Sequence, residues 1–307
     1  MSTGGFGSAD GRTTQGSKQG VVAGSTVPRR QLGRHLRELR QECGMSIAEL
    51  AKLVERSAAT IQRLETGTAE RIRLWDIEEL CRVLDADETM TEGLKGLAQQ
   101  GNTESWWHEY GDLIPNDFDV YIGLESAADQ LTSFQEIVPG LFQTPRYAHT
   151  LISAARPHGP APEVARRVEM RMRRQRMVTR KTRPVSVDVI LDESVLHRVV
   201  GDRRTMAEQL RRLADIGTLP NVKIRILPYS AGVPLGDLTG PYITLDFAPT
   251  KGRQEPSVVY VENYTGNMYL ERPESVDRYR SAHASLGRVA LDEQASRNLL
   301  RRAAKEH

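Results

Sequence analysis

The chain has 307 residues, 39% of them hydrophobic and 27% charged, with a formal net charge of +2. One core rarely grows past about 250 residues, so two domains are expected, each able to bury its own interior. No apolar run approaches the roughly 18 residues of a membrane span and no signal peptide is read, which argues against a membrane role and for the cytoplasm. Cys43 and Cys81 lack CxxC spacing. Both read as small core residues in a reducing compartment, and no metal or cofactor is expected.

Residues 1–27 are rich in Gly, Ser and Thr, with Phe6 as their one aromatic, and are expected to form a disordered tail. From Arg30 to Glu42 the residues Leu32, Leu36, Leu39 and Cys43 recur at helical spacing, and Gly44 ends this first helix. Ser46 stands as the N-cap of a second helix, with Glu49 three residues on as its capping-box partner and Leu50, Ala51 and Leu53 as an apolar face. Val54-Glu55-Arg56 makes a tight connection. Ser57 caps a third helix whose Ile61 and Leu64 point inward, and Gly67 supplies the stop.

This pattern reads as a DNA-binding helix-turn-helix with the third helix as the reader. Its outward residues Ala58, Ala59, Thr60, Gln62 and Arg63 are short or hydrogen-bonding, as suits a helix lying in a major groove. From Met45 through Arg73 the stretch resembles the repressor-type helix-turn-helix of phage repressors and xenobiotic-response-element regulators. It departs only in the turn, where Val54-Glu55-Arg56 lacks the usual glycine. The resemblance implies DNA contacts by Ile47, Ser57, Ala58, Ala59, Thr60, Gln62 and Arg63, and phosphate or minor-groove contacts by Arg71 and Arg73 in the loop that follows. It also implies a structural ion pair between Arg40 and Glu65.

Leu74 to Leu84 is a fourth helix closing the bundle with Leu80, Cys81 and Leu84. Residues 87–98 read as a fifth, whose Met90, Leu94 and Leu97 pack on the bundle or on a second copy of the chain. Charge follows function here. Residues 29–73 hold ten Lys/Arg against six Asp/Glu, and residues 74–98 hold two against seven, so the reading side is basic and the far side acidic. Residues 28–99 are therefore assigned to a mainly α, five-helix DNA-binding domain and 100–307 to a second domain.

The second domain opens at Trp106-Trp107-His108-Glu109-Tyr110. Adjacent tryptophans stack on a ligand or anchor a helix end to a core, and the core reading is favoured. Pro139-Gly140 is a turn, and Thr144 before Pro145 is an N-cap with proline at the first helical position. Residues 163–183 hold nine Lys/Arg against two Asp/Glu, with Met170, Met172 and Met177 interleaved. Either a second DNA surface or a solvated helix face fits, the latter better. Val185 to Leu191, Val222 to Pro228, Pro241 to Phe247 and Ser257 to Glu262 read as strands, with helices at Asp192 to Arg198 and Asp202 to Ile216. The mixed order makes this an α+β domain.

Leu124 to Ala128, Val138 to Ala148, Leu191-Asp192-Glu193, Pro220-Asn221-Val222, Leu227-Pro228, Val259 to Glu262 and Pro273 to Leu291 resemble the large C-terminal domain of antitoxin-like regulators of filamentous actinobacteria, of the WhiJ type. That resemblance implies a developmental regulator encoded beside a small protein that it binds. Enzymatic activity is not expected. Asp192, Glu193 and His197 lie close in sequence, but no GxSxG elbow, phosphate loop or HxxxH spacing accompanies them, and helix capping explains both acids.

The expectation is thus a nucleoid-associated, sequence-specific repressor that binds double-stranded operator DNA as a homodimer. Its C-terminal domain would hold a small protein from a neighbouring gene or a small-molecule effector. The alternative is an antitoxin that acts mainly by sequestering that protein, with DNA binding for autoregulation. Trp106, Trp107 and Tyr110 at the domain entrance, and Tyr229 and Asp237 in a long glycine-containing loop, are the candidate partner contacts.

Overall fold

A computed structural model of the protein describes residues 26–69, 71–102, 106–110, 112–114, 116–249 and 255–307. The tail expected over 1–27 lies outside them as far as residue 25, and its last two residues are helical. Five helices form the amino-terminal bundle: α1 Thr26–Glu42, α2 Ile47–Leu53, α3 Ala58–Thr66, α4 Leu74–Val83 and α5 Glu88–Gly101. Leu32, Leu36, Leu50, Ile61, Ile77, Leu80 and Leu94 are the centre of its core.

The caps sit where the local sequence demands. Ser46 Oγ accepts the Glu49 amide at 3.2 Å, and the Glu49 carboxylate accepts the Ser46 amide at 2.8 Å. Those bonds hold the Glu49 carboxyl below its ordinary range, the backbone bond from Ser46 counting most. Gly67 ends α3 in the left-handed region. In the turn between α2 and α3, Glu55 takes φ 52 without being glycine. The missing glycine therefore leaves the turn's geometry intact, at a conformational cost of about 1–2 kcal/mol.

Several side chains depart from the sequence reading. Leu53 is 53% exposed and does not join the apolar face of α2, and Cys43 lies exposed beyond the end of α1, while Cys81 is buried. Of the two places expected for Met90, Leu94 and Leu97, the structure shows the bundle: Leu94 is buried in its core and Met90 and Leu97 pack partly buried against it. At Gly33 a Cβ would overlap the carbonyl oxygens of both Leu64 and Glu65. The backbones of α1 and α3 touch there, a contact only glycine permits.

The second domain runs α6 Asn116–Ala127, β1 Gln130–Gln135, α7 Pro145–Ala155, α8 Ala161–Arg174, α9 Arg176–Thr179, β2 Ser186–Asp192, α10 Ser194–His197, α11 Arg203–Ile216, β3 Val222–Leu227, β4 Tyr242–Asp246, β5 Val258–Asn263, β6 Gly266–Leu270, α12 Pro273–Val289 and α13 Glu293–Glu306. The domain is α+β around one six-stranded sheet of order β3-β2-β1-β4-β5-β6. β1, β2 and β3 are parallel, joined by helical crossovers, and β4 to β6 are antiparallel. In register, Leu131, Val187 and Val222 line one face, which α11 and α13 cover, while Phe134, Ile190 and Tyr242 line the other beneath α12.

The strands β1 and β6 are additional to the four read from the sequence. β2 is also buried on both faces: Ile190 is inaccessible, and Asp188 pairs with Arg225 at 2.8 Å. His283 of α12 stands between them and the Tyr242 hydroxyl, 3.3 Å from Tyr242. The two domains meet along α1. Arg34 binds Glu255 at 2.7 Å, Arg30 pairs with Glu271, and a Cβ on Gly123 of α6 would overlap Thr26 of α1.

Candidate nucleic-acid interface

The reading helix presents a continuous exposed face. Ala58, Ala59, Gln62 and Arg63 are exposed and Thr60 is half-buried. Ser57 is exposed as well, but its hydroxyl accepts the Thr60 amide at 3.1 Å and contacts the Thr60 hydroxyl at 2.9 Å. Both hydroxyls are thus held by the cap. Ile47 opens α2 half-buried against the core, so only its outer edge faces solvent. Among the described residues the Arg63 and Gln62 side chains make no hydrogen bond, and their donors are free for a ligand.

What fixes this face lies behind it. Arg40 Nε and Nη2 donate to the two Glu65 carboxylate oxygens at 2.6 and 2.9 Å, and Nη1 donates to the Met45 carbonyl at 2.7 Å. The hydrogen bond to Glu65 raises the Arg40 pKa and keeps the guanidinium charged. Arg37 adds a bond to the Glu65 backbone carbonyl at 3.0 Å. One end of the reading helix is thus clamped to α1 by a two-point carboxylate contact, which fixes its rotation as well as its position.

Arg71 and Arg73 are exposed in the loop after α3, and the Ile72 between them is buried. Asn102 pins that loop, accepting the Ile72 amide at 3.1 Å and donating to its carbonyl at 2.6 Å. Sequence reasoning missed Asn102, and also a clamp at the turn. Arg56 donates to Asp76 at 2.7 and 3.0 Å and lies 5.0 Å over the Trp75 ring, which is itself 56% exposed. No local spacing announces such a contact, because its partners are twenty residues apart.

The arginine-rich stretch of the second domain has other duties. Along α8, Arg166 pairs with Asp112, Arg167 with Glu163, Arg173 with Glu109 and Arg174 with Glu125. These four charges are paired within the fold, and Arg174 is buried, so at that position the helix face is not solvated.

The partner contacts expected at the domain entrance need correction. Trp107 and Tyr110 are buried in the core, and Trp107 Nε1 donates to Asp119 at 2.8 Å. Trp106 is half-buried, edge-on to Trp107 and 4.9 Å beneath the Arg173 guanidinium. The loop candidates are placed differently. Tyr229 is 58% exposed, and Asp237 lines a cavity of about 570 Å³ beside Tyr279 and Arg278. Asp192 accepts the Ser194 amide at 2.9 Å, as expected of a cap, whereas Glu193 makes no cap bond and instead accepts the Tyr229 amide of a distant loop at 2.6 Å. His197 stacks on Tyr229 with ring centres 6.0 Å apart.

Among the described residues no three His, Cys, Asp or Glu side chains are grouped to hold a metal, and no helix is long and apolar enough to cross a membrane. Residues 31–94 match the family described as "Helix-turn-helix domain". Residues 118–302 match the family described as "Domain of unknown function (DUF5753)". None of the curated proteins matches the chain.

Proposed function

The chain belongs to the DUF5753 family and carries a helix-turn-helix DNA-binding domain ahead of it, and from that premise we propose a sequence-specific transcriptional repressor whose large domain joins two copies and responds to an effector. The observation that carries the reading is the exposed face of α3, with Arg63 and Gln62 unengaged on a helix clamped from behind by Arg40 and Glu65. The backbone of such a face is held in place beforehand, and only the Arg63 and Gln62 side chains are ordered on meeting base edges. Arg71 and Arg73 flank it on a pinned loop and supply the phosphate contacts that set register. One bundle reaches about one half-site, so tight binding requires two copies about 34 Å apart along the duplex. The reading assigns no catalytic step to the chain.

The test is selection of random DNA by the purified full chain, followed by binding to the recovered motif. Arg63→Ala is expected to weaken specific binding by about 1–3 kcal/mol and to relax preference at one base position. Recovery of an unchanged motif with that variant would show that Arg63 reads no base. Arg71→Ala and Arg73→Ala are expected to weaken binding to all sequences alike. Each should reduce the salt slope by about one for every phosphate that the missing arginine neutralised.

A further inference from the structure

A second cavity, of about 520 Å³, opens between the sheet, α6 and the loop that follows β1. That is the size of a small-molecule site. Its base is apolar, with Leu131, Val187 and Ile243 from three adjacent strands, and Phe118, Tyr121 and Tyr260 supply aromatic surface. One side chain does not fit a merely structural account. Arg171 of α8 lines this cavity half-buried, and among the described residues its only hydrogen bond runs from Nη1 to the neutral Gln143 side chain, at 2.7 Å. Four other arginines of the same helix have carboxylate partners.

Burial, and then the adjacent Arg174, pull the Arg171 pKa down to about 10. The cation is therefore present at neutral pH but poorly compensated. Arg174 does not share this problem, since Glu125 accepts from its Nε and Nη2 at 2.8 Å each. The Glu262 and Glu125 charges offset part of the fall in the Arg171 pKa without bonding its guanidinium, and Glu262 is exposed. A withdrawn guanidinium with free donors, set over an apolar and aromatic base, is the arrangement that receives an acid head with a hydrophobic body.

We propose that this cavity binds a small organic acid, its carboxylate or phosphate group on Arg171 and its apolar body over Ile243 and Tyr260. The proposal deepens the reading of the large domain as a sensor, and rests on it for its regulatory meaning. A route to the DNA-binding domain exists in the fold: α6 lends Phe118, Tyr121 and Glu125 to the cavity, while Gly123 of the same helix touches Thr26 of α1.

The test uses the full chain without DNA, titrated calorimetrically with 3-phenylpropionate, phenyl phosphate, inorganic phosphate and the neutral 3-phenylpropanol. Saturable binding of one or both aromatic acids, at least tenfold tighter than the alcohol, is expected, and the tighter of the two identifies the head group. Arg171→Gln should weaken that binding about 10- to 100-fold, as loss of a charged hydrogen-bonding pair does, and Arg171→Lys should restore part of it. The unliganded Arg171→Gln protein should unfold no earlier than the wild type, because a neutral amide replaces a half-buried charge that has no bonded carboxylate. An earlier unfolding transition would mark Arg171 as structural and overturn the proposal. So would the absence of saturable binding by either acid, or binding that ignores residue 171. Operator affinity is measured separately with the cavity saturated: no change there removes the sensor reading and leaves the site standing.

Discussion

Glu125→Ala is expected to destabilise the large domain by about 3–5 kcal/mol, the cost of leaving a buried cation without its partner. The pair is more enclosed than any other ion pair described above, with side-chain exposures of 6% for Arg174 and 1% for Glu125. Tyr121 donates its hydroxyl to the same carboxylate at 2.7 Å. Burial, followed by the Glu125 charge, pushes the phenol well above its ordinary pKa, so it remains a donor. Removing Glu125 therefore strands both a guanidinium and a hydroxyl. Glu125→Leu combined with Arg174→Met should recover most of the loss, since two apolar groups of similar size need no partners. Urea unfolding of the single and double variants checks this, and a double variant as unstable as the sum of the singles would show that the two side chains act independently.

The second large effect is expected in the bundle. Arg40→Ala or Glu65→Ala should each cost about 3–5 kcal/mol, and the double substitution less than their sum. The Glu65 side chain is 3% exposed and that of Arg40 11%, and Arg37, 3.6 Å from the Glu65 carboxylate but 45% exposed, compensates only part of the loss of Arg40. Arg40→Lys should not rescue, because an ammonium cannot reproduce the two parallel bonds to Glu65 and the third to Met45. Thermal unfolding reads the stability. The same variants should also lose operator binding at temperatures where the fold survives, since the clamp fixes how α3 is rotated toward the groove.

The two halves of the chain differ in how much of this was legible. Caps and stops in the bundle are local events in which Ser46, Glu49, Ser57 and Gly67 bond atoms within a few residues of themselves, so spacing alone exposes them. Glu55 runs against that logic. Nothing in its side chain favours a positive φ, and the bundle imposes one because α2 and α3 must meet at a fixed angle. In the large domain the strand β1 carries Ser133 and Thr132 in place of a hydrophobic run, and β6 is a five-residue edge, so alternation was too weak to reveal either. The burial of Trp107 agrees with the core reading favoured for the paired tryptophans, whereas that of Tyr110 follows from tertiary packing that composition cannot report. Arg171 was hidden by its neighbours. Among the five arginines of α8, which one lacks a carboxylate depends on acids such as Asp112 and Glu125, some fifty residues away.

The glycine contact at position 33 ties α1 to the end of the reading helix, and Thr26, Arg30 and Arg34 tie the same helix to the large domain. A seventeen-residue helix spans about 25 Å and bends little over that distance. It therefore behaves as an axle shared by two bodies, so the pitch of α3 is set by the large domain as much as by its own bundle. A tilt of about 5° at one end of such an axle displaces the other by about 2 Å. In any pair of chains related by a dyad, that displacement appears twice and with opposite sense, changing the phase between two reading helices along the duplex.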